Sequence, residues 1–267
     1  MTDSATASLS TARQKFKHQS QAFGFTRVLL VDFITMSFSL TPGLAAWAAF
    51  VSYLRWSWDR LGFVLWAMLA PAVLAGAFLA ACWIIRLCIP RMRPGTYKME
   101  MSRDYLAWYM TLCLGHAVRI AGLQPFFFTF YLTKYLYWRA MGARIAYGVN
   151  SSIFALLADY PLLRIGKGCT MGANVFVLGH MFLGDKVMLG TVDIGDNVFL
   201  GTGTLVGPRT TIGSRSWIGM HNRLMKDTLP EDSRLENFEW EHFNPARKQE
   251  APPPEPRPEP RPEERAP

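Results

Sequence analysis

Between Ile165 and Leu224 apolar side chains recur every six residues: Ile165, Met171, Val177, Leu183 and Leu189, then, after one step of five, Ile194, Leu200, Val206, Ile212, Ile218 and Leu224. Glycine follows at positions 166, 172, 184, 190, 195, 201, 207, 213 and 219. Four residues after these apolar positions stand mostly small or β-branched side chains: Cys169, Val175, Val187, Val198, Thr204, Thr210 and Ser216. Neither a helix, with its period of about 3.6, nor a plain strand, with its period of 2, generates this spacing. A short strand, a tight turn and a new strand every six residues does, and such units bury their apolar positions only by stacking on one another.

The chain upstream has a different solvent in mind. Half of all residues are apolar and only 18% are charged, which excludes a disordered chain and is low in charge for a water-soluble domain. Two stretches, 28–54 and 61–85, each exceed the roughly 20 apolar residues that a membrane-spanning helix needs. Trp56 and Trp58 in the connector suit the headgroup level. Arg13, Lys15, Lys17 and Arg27 precede the hairpin, Arg86, Arg91, Arg93, Lys98 and Arg103 follow it, and the connector holds only Arg55 and Arg60. The positive-inside rule then places both termini and the repeat region in the cytoplasm, in a multi-pass membrane protein. The polar leader of residues 1–27 and the lack of a small-residue cleavage site argue against a cleaved signal peptide.

Residues 105–138 stay apolar but are interrupted by His116, Arg119 and Gln124-Pro125, which predicts two interfacial helices broken at the proline, with a third and fourth membrane span as the alternative. The net charge of +8 fits anchoring to lipid headgroups, and no aromatic-basic array points to nucleic acid. Cys82, Cys88, Cys113 and Cys169 have no metal or disulfide spacing and read as small hydrophobes. Residues 251–267, with eight prolines, form an extended or disordered tail. The expected organisation is a leader over 1–27, a membrane domain over 28–138, the repeat domain over 139–230, an extension over 231–250, and the tail.

The run IGDNVFLGTGTLVGPRTTIG (194–213) resembles the hexapeptide-repeat superfamily, whose fold is a left-handed parallel β-helix with three six-residue faces per coil. The similarity extends to IPRMRPGTY (89–97), RAMGARI (139–145), LLRIGKGCTMGA (162–173), GHMFLGDKVMLGTVDIG (179–195) and LMKDTLPEDS (224–233), which resemble the membrane-embedded C-terminal modules of ε-poly-lysine-type non-ribosomal peptide synthetases. No adenylation or carrier segment and only one repeat module lie within these residues, so a stand-alone relative is expected and the synthetase substrate is not carried over. The fold class implied is an α+β membrane protein: a transmembrane helical hairpin and interfacial helices, then the β-helix.

The superfamily resemblance implies acyl transfer from an acyl-CoA or carrier thioester to a hydroxyl or amine, with a histidine base in a cleft between subunits of a homotrimer. A base of pKa near 7 suits that task. His18, His116 and His242 lie outside the repeats, which leaves His180 and His221. Both stand three residues after an inward position and should point outward. With three hexapeptides per coil, Val177, Ile194 and Ile212 share a face, which stacks His180 with Asn197 and Arg215 and leaves His221 alone. His180 also matches the recurrent histidine of the resembled modules and is the expected base. Asn197 is expected to orient it or touch the donor, or else simply to occupy a turn; Asp159 and Asp185 are candidate partners that spacing does not place. Arg215, Arg223 and Lys226, the last at a recurrent lysine of the resembled modules, are the candidates for the phosphates of a CoA donor.

The expectation is therefore a membrane-anchored acyltransferase using acetyl-CoA or a carrier thioester, with no tightly bound cofactor or metal, acting at the cytoplasmic face on a small-molecule, glycan or lipid-linked acceptor. The alternative is a non-catalytic membrane scaffold whose β-helix docks a biosynthetic enzyme. A γ-class carbonic anhydrase would need three histidines around one zinc ion, which two outward histidines on different faces do not supply.

Overall fold

The computed structural model describes residues 25–58 and 60–237. The leader up to residue 24, the segment after 237 with the proline-rich tail, and His18 and His242 lie outside the described residues.

Two long helices open the fold, α1 (Phe25–Ser57) and α2 (Phe63–Cys88), packed against each other. Both are long and apolar enough to cross a membrane, and only about a fifth of the most apolar window of the first and a tenth of that of the second is buried within the protein. Phe33, Leu44, Val64, Met68 and Ile84 are exposed on them. A strand, β1 (Gly95–Lys98), then leads into α3 (Arg103–Ile120), capped by Ser102, whose hydroxyl accepts from the Tyr105 amide. In place of two helices broken at Pro125 the chain forms three, because Pro125 sits in the first turn of the short α4 (Gln124–Thr129), where its missing N–H costs no bond, and α5 (Tyr131–Ala140) follows.

The remainder is a triangular solenoid of stacked parallel rungs. Its first coil is β2 (Arg144–Ile145), β3 (Asn150–Ser151) and β4 (Leu156–Ala158), and its second is β5 (Leu163–Ile165), β6 (Thr170–Met171) and β7 (Phe176–Leu178). A hairpin, β8 (His180–Leu183) and β9 (Lys186–Leu189), intervenes. The third coil is β10 (Val192–Ile194), β11 (Phe199–Leu200) and β12 (Leu205–Val206); the fourth is β13 (Thr210–Ile212), β14 (Trp217–Ile218) and β15 (Arg223–Leu224). The rungs β16 (Thr228–Leu229) and β17 (Arg234–Leu235) begin a fifth, which carries the solenoid across residue 230 into the segment expected as a C-terminal extension.

Register identifies the inward ladders. Ile145, Ile165, Ile194, Ile212 and Leu229 form one; Ser151, Met171, Leu200, Ile218 and Leu235 the second; Leu157, Val177, Val206 and Leu224 the third. Cys169, Val175, Val198, Thr204, Thr210 and Ser216 fill the corners between them, all buried. The open lower end is closed by α5: Lys134 is buried against the first coil, its Nζ donating to Ser151 O at 3.4 Å and lying 4.8 Å from the Tyr131 ring. Burial lowers the pKa of that ammonium.

The first coil opens at Arg144, within the 139–230 segment expected for the repeats. One expectation is corrected. Leu183 and Leu189 are not rungs: residues 180–189 leave the solenoid as the hairpin, whose second strand β9 pairs antiparallel with β1, and the chain rejoins where Gly190 N donates to Gly179 O at 2.9 Å. Val177 therefore stacks with Val206, not with Ile194 and Ile212, and His180 shares no column with Asn197 and Arg215.

Candidate active site

Two insertions into the six-residue spacing, one in each of two successive coils, fall at the same corner after the third ladder. From Leu157 to Ile165 the step is eight residues, which inserts Asp159 and a 3-10 turn over Tyr160–Leu162. One coil later, the hairpin departs after Leu178. Since Ala158 and Leu178 are register neighbours, the two departures set Asp159 beside His180.

Asp159 is almost wholly buried and sits in the left-handed region at φ 60°, ψ 44°, a conformation that Asp tolerates better than most residues. Its Oδ2 lies 2.6 Å from His180 Nδ1, and its Oδ1 accepts a hydrogen bond from Trp108 Nε1 of α3 at 2.8 Å. An ionised carboxylate only accepts hydrogen bonds, so with Asp159 ionised and the imidazole neutral the proton sits on Nδ1 and Nε2 keeps its lone pair. The Asp159 side chain is 0% exposed and that of His180 is 14% exposed. The anion is thus fully desolvated and held from both sides, while the imidazole keeps an accessible edge. Around the ring, Trp108 lies at 5.2 Å and Phe182 at 5.5 Å between centroids. Gly179 makes the approach possible: a Cβ there would come within 2.9 Å of Asp159 Cβ and 3.0 Å of Leu162 Cδ1.

His180 and Asp159 line a mainly apolar cavity of about 270 Å3 between α3 and the third face of the solenoid. Leu157, Leu178 and Tyr160 contribute from the solenoid, Leu112, His116 and Arg119 from α3. Partial burial, and then the neighbouring Arg119 guanidinium, lower the pKa of His116 below that of a free imidazole. The folded protein thus binds a proton there less readily than the unfolded chain, so this group costs stability as pH falls through about 6.5 and costs none well above it. In a histidine NMR titration of the full chain, His116 should titrate below the ordinary imidazole range, and Arg119→Gln should move it upward; an unchanged midpoint in that variant would refute the coupling.

The other sequence candidates lie elsewhere. Asn197 occupies a corner at φ 56°, in line with Gly168, Arg215 and Asp232, which all have positive φ; its amide donates to Lys167 O at 2.8 Å. That is the turn position an asparagine tolerates. Arg215 is engaged with Glu231 at 2.6 Å and Asp232 at 2.8 Å, and its hydrogen bonds lower the pKa of the Asp232 carboxyl. Lys226 and His221 are exposed corner residues, at φ 61° and 59°. Arg223 differs: its register places it in the outward column Leu156, Phe176, Leu205, Arg223, above the cavity wall. Three rungs separate it from Leu156, roughly 14 Å. Asp185 lies in the hairpin turn, where its carbonyl accepts from Met99 N at 2.9 Å. Trp108 had no sequence signal beyond its place in an apolar helix. Among the described residues, no three His, Cys, Asp or Glu side chains converge.

No protein-family model matches the chain, and no curated protein matches its sequence. Solved structures give similarities. The hexapeptide-repeat containing acetyltransferase VCA0836 from Vibrio cholerae is 16% identical, with a TM-score of 0.34, over 45% of this chain and 84% of that one. Serine acetyltransferase isoform 3 from Entamoeba histolytica, in complex with cysteine, is 16% identical, with a TM-score of 0.29, over 73% of this chain and 70% of that one. Serine acetyltransferase 1 from the same organism, in complex with L-cysteine, is 15% identical, with a TM-score of 0.32, over 71% and 73%. At these scores the chemistry of the site rests on this chain's own residues.

Proposed function

We propose that the chain is a membrane-anchored acyltransferase in which His180, oriented by Asp159, is the general base. The observation that carries the reading is the Trp108–Asp159–His180 chain of hydrogen bonds, ending on the wall of an apolar cavity. A hydroxyl or an ammonium is a poor nucleophile at neutral pH, and Nε2 is the basic atom available to take its proton as the oxygen or nitrogen attacks a thioester carbonyl. The imidazolium formed is stabilised by the buried Asp159 anion. As the tetrahedral intermediate collapses, the C–S bond breaks, and the proton passes from Nε2 to the departing thiolate.

Acyl-CoA, with acetyl-CoA the simplest case, is the donor class favoured here. The position of Arg223 on the outward column that runs from the cavity wall supports it as the residue that meets the donor's phosphates. Arg215 is already engaged by two carboxylates and does not enter the proposed donor path. The apolar exposure of α1 and α2 supports insertion of this hairpin in a bilayer, and the Lys and Arg distribution supports a cytoplasmic solenoid. The helix α3 that walls the cavity packs on α1, which favours a lipid-linked or otherwise amphiphilic acceptor.

Membranes containing the full chain, incubated with labelled acetyl-CoA, should release free thiol and accumulate one labelled acyl product that control membranes lack. Neither thiol release nor labelled product, from acetyl-CoA or from longer acyl-CoA donors, would overturn the reading.

A further inference from the structure

A second cavity, of about 460 Å3, opens where α2 ends, and Arg86, Arg91 and Arg144 line it together with Thr111, Gly142 and Pro161. Three guanidinium groups on one wall repel each other unless an anion joins them. Among the described residues none of the three is paired with a carboxylate, and Arg86 Nε is buried without a hydrogen-bond partner. Other arginines of the solenoid do find acids: Arg164 with Asp193, Arg215 with Glu231 and Asp232, Arg234 with Glu236. Gly142, at φ 91°, leaves room for the Arg86 guanidinium, into which any Cβ there would run.

The position matters as much as the charge. Arg86 lies in the last turn of α2, so in a bilayer this cavity sits at the boundary between hydrocarbon and water. It also adjoins the catalytic cavity. Thr111 lines both, and Tyr160 of one is the chain neighbour of Pro161 of the other.

We propose that Arg86, Arg91 and Arg144 form a phosphate-binding site that holds the phosphate of a substrate while its reacting end reaches His180. Guanidinium forks match phosphate oxygens in pairs, and a phosphate relieves the mutual repulsion of the three cations. The chemistry is that of a phosphate ester, from either the headgroup of a lipid acceptor or a soluble phosphorylated substrate. The use of the bound group rests on the acyltransferase reading; the site itself does not.

The test is binding by the full chain in a phosphate-free detergent, followed by native mass spectrometry, with dioleoyl phosphatidic acid and inorganic pyrophosphate as separate probes. Arg91 and Arg144 are exposed, so the Arg91→Gln/Arg144→Gln variant should fold. Wild type should bind saturably, the double variant should lose roughly tenfold or more in affinity, and Arg234→Gln, on the last coil, should match wild type. Phosphatidic acid held against excess pyrophosphate supports a lipid headgroup; displacement by pyrophosphate supports a soluble phosphate; either supports the site. Absence of saturable binding of both probes, a double variant that binds as wild type does, or an equal loss in Arg234→Gln would overturn it. Binding retained by a wild-type protein that consumes no thioester would remove the acyltransferase reading and leave the phosphate site standing.

Discussion

His180→Ala should lower thioester consumption by roughly 10²–10⁴-fold, the range that a positioned general base contributes. Asp159→Asn should fall in the same direction for a different reason. An amide at this position can offer its N–H to Nδ1, which selects the tautomer that carries the proton on Nε2 and so removes the acceptor the reaction needs. It also removes the anion that stabilises the imidazolium. Because Asp159 acts only through His180, the double variant should be no slower than His180→Ala alone; losses that multiply would show Asp159 acting independently of the imidazole. A folded Asp159→Asn protein as active as wild type would count against the dyad.

The sequence made the solenoid visible and concealed the geometry of its site, for one physical reason. Hexapeptide spacing reports which side chains point into the prism, and the three ladders from Ile165, Met171 and Val177 upward obey it. The hairpin over 180–189 preserved the spacing by coincidence: Leu183 and Leu189 fall six and twelve residues after Val177, yet Leu183 is exposed and Leu189 packs beside Trp108. Counting through them shifted the faces and joined His180 to Asn197 and Arg215. The first coil lies in the segment expected for the repeats but outside the strict six-residue run, because its second inward position is Ser151 and an eight-residue step follows Leu157. That step was the available signal for Asp159, since an insertion at the corner where another insertion begins brings two loops together. Nothing local pointed to Trp108, which reaches Asp159 across 51 residues of sequence and belongs to the helical part of the chain.

Trp108→Ala should be the most destabilising single change near the site. The side chain is 2% exposed and packs with Leu162, Val187 and Leu189, so its removal leaves a cavity at the seam between α3, the hairpin and the solenoid. Truncations of this kind cost about 3–5 kcal/mol. The loss of the indole N–H also leaves Asp159 Oδ1 buried with one partner fewer, an effect of roughly 1.5–3 kcal/mol for a hydrogen bond to a charged group. Trp108→Phe separates the two contributions, since it retains most of the apolar volume and lacks only the donor. Thermal unfolding of the full chain in detergent should place Trp108→Phe between wild type and Trp108→Ala. If the indole bond positions the dyad, Trp108→Phe should lower kcat and leave KM for the thioester nearly unchanged, because the cavity lining stays intact. A Trp108→Phe protein as active as wild type would reduce Trp108 to a packing residue. A Trp108→Ala protein as stable as wild type would contradict the packing at this seam, on which the union of α3 and solenoid around His180 depends.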